Sequence, residues 1–324
     1  MKYTNKCYLF VVLILISSML VGCSKTVEVA YIQDDLSRRY DIVQLVSVSE
    51  AIGFSEKLCV GADSTSLGDF DLELVGAAGF FDLNNNEVLY SSNMYSKMYP
   101  ASTTKVLTAL VAIKYGNLDQ ELVATDAVYI NEIGATLLGL EPGDTMTLEQ
   151  ALHFFLLKSA NDVGNLIAEN VAGSVEAFVE LMNEEARLLG ATNTHYVNTH
   201  GLHDNDHYTT VYDLYLIFQE AIKYDAFNQI IMQTQYTSTY KDAAGEPVTV
   251  TVNNTNGYLS GAYTTPTGFT VLGGKTGTTN EAGHCLIIYS KDDFGNPYIS
   301  IMLCGSTRAD LYAQMTEMLE QISE

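Results

Sequence analysis

Basic side chains are scarce in this chain of 324 residues. Lysine and arginine together number 16 against 39 aspartates and glutamates, which gives a formal net charge of −23. A surface of this charge repels nucleic-acid phosphates and anionic lipid head groups, so we expect no nucleic-acid partner. Apolar residues make up 47% of the chain, which allows one large domain or two lobes around a sizeable core and argues against disorder.

Cysteine is scarce too, and its spacing excludes two kinds of site. Among the five cysteines, Cys59, Cys285 and Cys304 stand far apart in the sequence. An odd number at wide spacing predicts neither a disulfide framework nor a zinc site. Cys285 and Cys304 lie in two apolar runs that are expected to pair as strands, and we predict buried free thiols there.

One short loop is rich in residues that bind metals in other settings: His200, His203, Asp204, Asp206 and His207. A metal site needs several ligands that converge on one point. No second set of candidate ligands stands elsewhere in the chain to complete such a site. We therefore predict no metal and no other cofactor.

The N-terminal apolar run, Tyr8 to Leu20, has thirteen residues and is too short to span a bilayer comfortably. Lys2 and Lys6 precede it, which indicates a signal peptide over residues 1–22. The ending Leu20-Val21-Gly22-Cys23 resembles a bacterial lipobox, whose cysteine is acylated, while ordinary signal-peptidase cleavage is the alternative. We predict an exported protein held at the outer face of the cytoplasmic membrane by a lipid on Cys23.

A serine and a lysine stand three residues apart in Tyr99-Pro100-Ala101-Ser102-Thr103-Thr104-Lys105, ahead of an apolar helical run from Val106 to Ile113. Residues at i and i+3 of a helix share a face, so the lysine amine is placed beside the serine hydroxyl. A serine becomes a nucleophile when a neighbouring base takes its proton, and a lysine is such a base when burial or another cation keeps it neutral. The pattern predicts an activated serine.

The S-x-x-K pattern alone is weak, because Ser238 and Lys241 match it as well. Two further motifs follow Ser102 in order: Ser159-Ala160-Asn161, and then Lys275-Thr276-Gly277. No S-x-N follows Ser238. The ordered set of three motifs selects Ser102.

The ordered trio resembles the penicillin-binding protein and serine β-lactamase superfamily. The segments PASTTK, LLKSAND, His-Gly-Leu at 200–202 and GGKTGTT are most similar to D-alanyl-D-alanine carboxypeptidases, which are low-molecular-weight penicillin-binding proteins. The resemblance covers roughly residues 70–324. It implies an α+β fold, in which an antiparallel sheet is flanked by helices and an all-α lobe is inserted. The predicted domain is then 71–324 with a helical lobe over about 118–227, and residues 23–70 form a tether.

Local patterns agree with a sheet made from both ends of the domain. A hairpin is predicted over Val75 to Leu83 and Glu87 to Ser91, and helix starts are predicted at Thr147, Ser174 and Thr210. The C-terminal part predicts three strands and a closing helix, at 269–278, 283–290, 298–306 and 309–322.

The resemblance implies the catalytic roles. Ser102 would attack the carbonyl between two terminal D-alanines while Lys105 takes its proton. Ser159 would pass a proton to the leaving amine, and Asn161 would hold Lys105 and the substrate amide. The backbone N–H groups of Ser102 and Thr278 would form the oxyanion hole.

It also implies the substrate-binding residues. Lys275 would supply the positive charge that keeps Lys105 neutral, and Thr276 would donate a hydroxyl to the substrate carboxylate. Gly277 would let the peptide lie against its strand. Arg308, which follows the last predicted strand, would pair with the carboxylate. The partners implied are peptidoglycan stem peptides ending in D-Ala-D-Ala, and β-lactams as inhibitors.

Three alternatives remain open at this stage. Class A β-lactamases use a glutamate to activate the deacylating water, but no E-x-x-L-N signature follows Asn161 and residues 191–204 contain no glutamate. A DD-endopeptidase of the same fold and a penicillin-binding sensor without turnover would carry the same three motifs.

Overall fold

The computed structural model describes residues 57–322, which form one mixed α/β unit. The strands are β1 (Ala77–Asp82), β2 (Glu87–Ser92), β3 (Glu121–Val123), β4 (Thr145–Thr147), β5 (Gln235–Lys241), β6 (Pro247–Asn253), β7 (Phe269–Thr279), β8 (Gly283–Asp292) and β9 (Pro297–Gly305). The helices are α1 (Lys105–Tyr115), α2 (Leu148–His153), α3 (Asn161–Ala172), α4 (Val175–Leu188), α5 (Val211–Ala221), α6 (Asp225–Ile231) and α7 (Arg308–Glu320).

The main sheet is antiparallel, with five strands in the order β2-β1-β9-β8-β7. It joins the first two strands to the last three, so the prediction of a sheet made from both ends of the domain is confirmed. Strand β7, which carries Lys275-Thr276-Gly277, stands at the edge of this sheet. Its pairing with β8 sets Thr278 opposite His284.

The helical lobe packs around α1, whose residues from Lys105 to Ala112 are all fully buried. Three threonine or serine side chains cap helices at the predicted starts. Thr147 accepts from the Gln150 N–H in a capping box, Ser174 caps α4, and Thr210 accepts from the Asp213 N–H. These caps confirm that the sequence marks the beginnings of these helices.

The lobe is mainly rather than entirely helical, which corrects the prediction in one respect. Strands β3 and β4 lie inside it and pair with each other, and Thr145 of β4 pairs with Lys241 of β5. Together with β6 they form a second sheet in the order β3-β4-β5-β6. Strands of three residues are too short to show an alternating pattern, so the sequence does not predict them.

The segment predicted as a tether over 23–70 is packed on the domain from Lys57 onward. Cys59 is fully buried and its N–H donates to the Tyr215 hydroxyl at 2.8 Å. Thr65 forms a β-bridge with Ser91, and Phe70 packs edge-on against Tyr90. The rest of that tether, the predicted signal peptide and Cys23 lie outside the described residues.

The three downstream cysteines are free, and they differ in burial. Cys285 is buried as expected and Cys59 is buried too, whereas Cys304 is exposed. Cys304 has a positive φ of 61° near the end of β9, where the pairing with β8 is irregular. The bulge turns this side chain outward, which corrects the prediction for Cys304. Between residues 57 and 322, no helix is long and apolar enough to cross a membrane.

Candidate active site

Ser102 and Lys105 lie where a 3-10 turn, Ala101–Thr104, runs directly into α1. The Lys105 Nζ atom is 3.0 Å from Ser102 Oγ, 2.6 Å from Asn161 Oδ1 and 2.6 Å from the carbonyl oxygen of His200. Three oxygen atoms therefore surround the amine, and one of them belongs to the predicted nucleophile. The geometry brings Ser102, Lys105 and Asn161 together as the motifs predict.

The surroundings of Lys105 favour a neutral amine. Its side chain is fully buried and Nζ lies 5.5 Å from the centre of the Phe155 ring. Burial, followed by repulsion from Lys275, lowers the pKa of Lys105 well below its ordinary value of 10.5, and Asp162 opposes this only in part. In the neutral form, the amine donates its two N–H bonds to Asn161 and His200, and its lone pair accepts the Ser102 hydroxyl.

Ser159 and Lys275 form a second contact in the same site. A π-helical segment, Phe154–Lys158, ends at Ser159 in the left-handed conformation (φ 66°), and the next turn begins α3 at Asn161. The Lys275 ammonium donates to Ser159 Oγ at 3.0 Å and to the Thr276 carbonyl at 2.8 Å. Burial lowers the pKa of Lys275 to about 7. The three motifs thus converge, each contributing a side chain.

A contact within the protein itself also requires glycine at position 277. A Cβ atom at this position would lie 2.8 Å from the Ser102 backbone nitrogen and 3.1 Å from the Pro100 carbonyl oxygen. The absent side chain therefore lets β7 approach the protein's own nucleophile turn. This contact places the Ser102 N–H against the strand that carries Thr278.

An open cavity of about 180 Å³ lies in front of Ser102 and is lined by Arg308, Thr276 and Thr278 among others. The Arg308 guanidinium donates to the Thr255 carbonyl at 2.7 Å, and the Thr276 hydroxyl donates to Thr255 Oγ1 at 2.7 Å. All of the predicted substrate-binding side chains except the buried Lys275 therefore border one cavity.

Thr255 and His284 also line this cavity. Neither belongs to one of the three motifs, so the sequence does not predict them as site residues. Thr255 holds both Arg308 and Thr276 from a loop after β6. The His284 Nδ1 atom is 3.1 Å from Thr278 Oγ1, and burial and then Arg308 lower the pKa of this histidine.

Asp162 is a further residue that sequence reasoning missed, although it belongs to the LLKSAND segment. Its buried carboxylate accepts from the backbone N–H groups of Leu138, Gly139 and Leu140 at 2.8–3.1 Å. The Asn161 N–H donates to the Thr136 carbonyl at 2.7 Å. Asp162 therefore fixes the loop that forms one wall of the cavity.

The histidine-rich loop contributes a backbone carbonyl and two ring contacts instead of a cluster of ligands. His200 provides the carbonyl to Lys105, His207 contacts Thr104, and His203 packs edge-on against Tyr99. Among residues 57–322, no group of three His, Cys, Asp or Glu side chains is placed to hold a metal ion.

This fold and site define the class as that of the penicillin-binding serine peptidases. The sequence model of one family, described as D-alanyl-D-alanine carboxypeptidase (peptidase S11), matches residues 75–307. The chain belongs to this family.

Named relatives and a solved structure agree with that assignment. The chain is 31% identical over 253 residues to the D-alanyl-D-alanine carboxypeptidase DacF of Bacillus subtilis, covering 75% of this chain and 61% of that protein. It is 33% identical over 247 residues to DacA of Escherichia coli K12, covering 74% and 58%. The crystal structure of the Streptomyces K15 DD-transpeptidase superposes with a TM-score of 0.72 at 26% identity, covering 78% of this chain and 98% of that one.

The match to these relatives is partial. The chain spans about three fifths of the length of the curated carboxypeptidases, at 61% and 58%.

Proposed function

We propose that this protein is a serine-type D-alanyl-D-alanine carboxypeptidase, which removes the terminal D-alanine from peptidoglycan stem peptides through an acyl-enzyme. The observation that carries the proposal is the contact between Ser102 Oγ and a fully buried Lys105 amine whose pKa is lowered. A neutral amine at this distance is a general base for the hydroxyl. Penicillin, which acylates the same serine in this superfamily, is the expected inhibitor.

In the proposed reaction Ser102 Oγ bonds to the carbonyl carbon of the penultimate D-alanine as its proton moves to Lys105 Nζ. The N–H groups of Ser102 and Thr278 stabilise the oxyanion. Ser159, which accepts from Lys275, relays the proton held by Lys105 to the nitrogen of the departing D-alanine as the peptide bond breaks, which returns Lys105 to its neutral form. Water then hydrolyses the ester, which restores the Ser102 hydroxyl and releases the shortened peptide.

The lining of the cavity favours a peptidase over a class A β-lactamase. Those β-lactamases activate the deacylating water with a glutamate. Among the described residues that line the cavity beside Ser102, none is aspartate or glutamate. We therefore expect a penicilloyl enzyme to hydrolyse slowly.

Two measurements test the function together. The purified protein is incubated with a peptide ending in D-Ala-D-Ala and, separately, with labelled penicillin. Release of D-alanine and a long-lived adduct on Ser102, located by mass spectrometry, are expected. Rapid penicillin hydrolysis would indicate a β-lactamase, and an adduct without D-alanine release would indicate a sensor. An adduct on Ser238 would contradict the assignment of the nucleophile.

Replacing Arg308 with alanine is expected to reduce kcat/KM for a free-acid D-Ala-D-Ala peptide by about tenfold to 150-fold. The physical reason is a charge-assisted hydrogen bond to the substrate carboxylate, which contributes about 1.5 to 3 kcal/mol. Arg308 is exposed, lines the cavity and is oriented by the Thr255 carbonyl. D-alanine release is measured by a coupled assay.

The control for Arg308→Ala is a matched substrate amidated at its C-terminus, whose hydrolysis should change little. Arg187→Ala removes an exposed arginine on α4, far along the chain from the three motifs, and should leave both substrates unaffected. Equal losses on the acid and the amide would show that Arg308 is structural, and the preference for a free carboxylate would then come from another residue.

We also propose that the protein is exported and anchored by a lipid on Cys23 at the outer face of the cytoplasmic membrane. Support comes from the apolar run Tyr8 to Leu20 and the Leu-Val-Gly-Cys ending. Cys23→Ser is expected to move the protein out of the membrane fraction or to leave it unprocessed, because the acylated residue is lost. Cell fractionation and mass spectrometry of the mature N-terminus measure this.

Cys7→Ser is the matched control, since Cys7 lies within the predicted signal peptide and should not affect anchoring. A mature protein that begins at Met1, or at a residue beyond Cys23, is incompatible with lipidation at Cys23.

A further inference from the structure

Ala101, which immediately precedes the nucleophile, has a left-handed backbone. Its φ is +47°, and the side chain is buried. A residue with a Cβ atom in this conformation is less stable by roughly 1 to 2 kcal/mol, so surrounding contacts must hold it. One of these contacts is a hydrogen bond from Thr104 Oγ1 to the Ala101 carbonyl at 2.8 Å.

The Ala101 carbonyl and the Ser102 N–H belong to the same peptide unit. In a trans peptide they are coplanar and point in opposite directions. No cis peptide bond occurs among the described residues. A contact that fixes the direction of the Ala101 carbonyl therefore also fixes the direction of the Ser102 N–H, which is one of the two proposed oxyanion donors.

Thr104 is in turn held by His207. The His207 Nε2 atom is 2.8 Å from Thr104 Oγ1, and the Val197 N–H donates to His207 Nδ1 at 3.1 Å. Since Nδ1 accepts, the proton of the neutral ring is on Nε2, which donates to Thr104. The Thr104 hydroxyl accepts from His207 and donates its single hydrogen to the Ala101 carbonyl. The donor and the acceptor in each of these hydrogen bonds are therefore set by the preceding bond.

The His207 ring is rigidly placed. It is 2% exposed and stacks on Tyr196 with centroids 4.6 Å apart and an angle of 9° between the planes. Burial lowers the pKa of His207 to about 3, so the neutral ring persists at neutral pH. The ring does not touch Ser102 or line the cavity.

We propose that His207 is a positioning residue for acyl transfer: through Thr104 it fixes the Ala101–Ser102 peptide and thereby aims the Ser102 N–H at the oxyanion. The proposal rests on the proposed function, because it concerns the same acylation step. It assigns to the histidine-rich loop a role in transition-state stabilisation that the three motifs do not include.

The test is a double-mutant cycle on acylation by labelled penicillin. His207→Phe keeps a ring to stack on Tyr196 but removes both nitrogens, and Thr104→Val keeps the shape of threonine without the hydroxyl. Each is expected to lower the acylation rate constant by about tenfold to 100-fold, less than the 10²–10³ loss caused by removing an oxyanion donor. The double variant should be no slower than the slower single variant, because both act through one bond.

Three further measurements separate positioning from a structural role. For peptide hydrolysis, kcat should fall while KM changes little, because the interaction is made in the transition state. Thr104→Ser restores a hydroxyl and should recover most of the rate lost in Thr104→Val. His195→Phe alters an exposed histidine of the same region, whose Nδ1 contacts the Asp206 carbonyl, and should acylate at the wild-type rate.

The outcomes distinguish the two proposals. If the wild-type protein forms no acyl-enzyme, the proposed function fails. If the wild type is acylated and Thr104→Val, with an unchanged Tm, is acylated equally fast, the function stands and the role of His207 is overturned. If the two single-variant losses in acylation rate multiply in the double variant, the role of His207 is likewise overturned, even if His207→Phe alone is destabilised.

Discussion

Lys105→Ala is expected to slow acylation of Ser102 by about 10²- to 10⁴-fold, which is the range lost when a general base is removed. The reason is the position of Nζ, 3.0 Å from Ser102 Oγ, together with the lowered pKa of the buried amine. Without the amine, Ser102 loses the general base that lies within hydrogen-bond distance of its hydroxyl. Stopped-flow measurement of penicillin acylation gives the rate, and thermal unfolding shows whether the fold persists.

The chain offers a matched control in its second S-x-x-K pattern. Lys241 is exposed at the end of β5, and the Ser238 hydroxyl accepts from the Gln150 amide at 2.7 Å. On a strand, residues three apart point to opposite faces, so this pair cannot act as nucleophile and base. Lys241→Ala should acylate like the wild type. A Lys105→Ala protein that is folded and acylates at the normal rate would refute Lys105 as the base.

The two S-x-x-K patterns show what the sequence determines. The same spacing places two side chains together on a helix and apart on a strand, so the prediction depended on recognising the helical run after Ser102. That run is apolar except for Thr108, and burial of the amine follows from it. The order of the three motifs then selected the residues that the structure brings together.

Other features of the site could not be predicted because they depend on contacts between residues that are far apart in the chain. The carbonyl of His200, the loop held by Asp162 and the bond from His207 to Thr104 join residues 95, 22 and 103 positions apart in the chain. In the first two contacts one partner is a backbone carbonyl or N–H, which any residue type can supply, so these contacts leave no compositional signal. The third contact joins two side chains that only the fold brings together. The three-residue strands β3 and β4 could not be predicted for a related reason. Their extended conformation depends on pairing with neighbouring strands and not on a pattern in their own residues.

A side chain at Gly201 would collide with the turn that carries the nucleophile. Its φ is +87°, and a Cβ atom there would lie 1.8 Å from the Ala101 carbonyl oxygen and 2.8 Å from Thr104 Oγ1. The preceding residue, His200, supplies the carbonyl that accepts from Lys105 at 2.6 Å. The glycine thus packs against the nucleophile turn while its neighbour orients the base.

Gly201→Ala is therefore expected to lower the acylation rate by about 100-fold or more, since a displacement of about 1 Å near the reacting groups costs that much. The overlap with a carbonyl oxygen can be relieved only by moving the Ala101 peptide or the His200 carbonyl. Gly173→Ala is the matched control: its φ of +86° is the same, but no atom lies within 4 Å of the added Cβ. That variant should lose roughly 1 to 2 kcal/mol of stability from the left-handed backbone and acylate normally. If Gly201→Ala, folded to the same extent as Gly173→Ala, acylates at the wild-type rate, then close contact between this loop and the nucleophile turn is not required for catalysis.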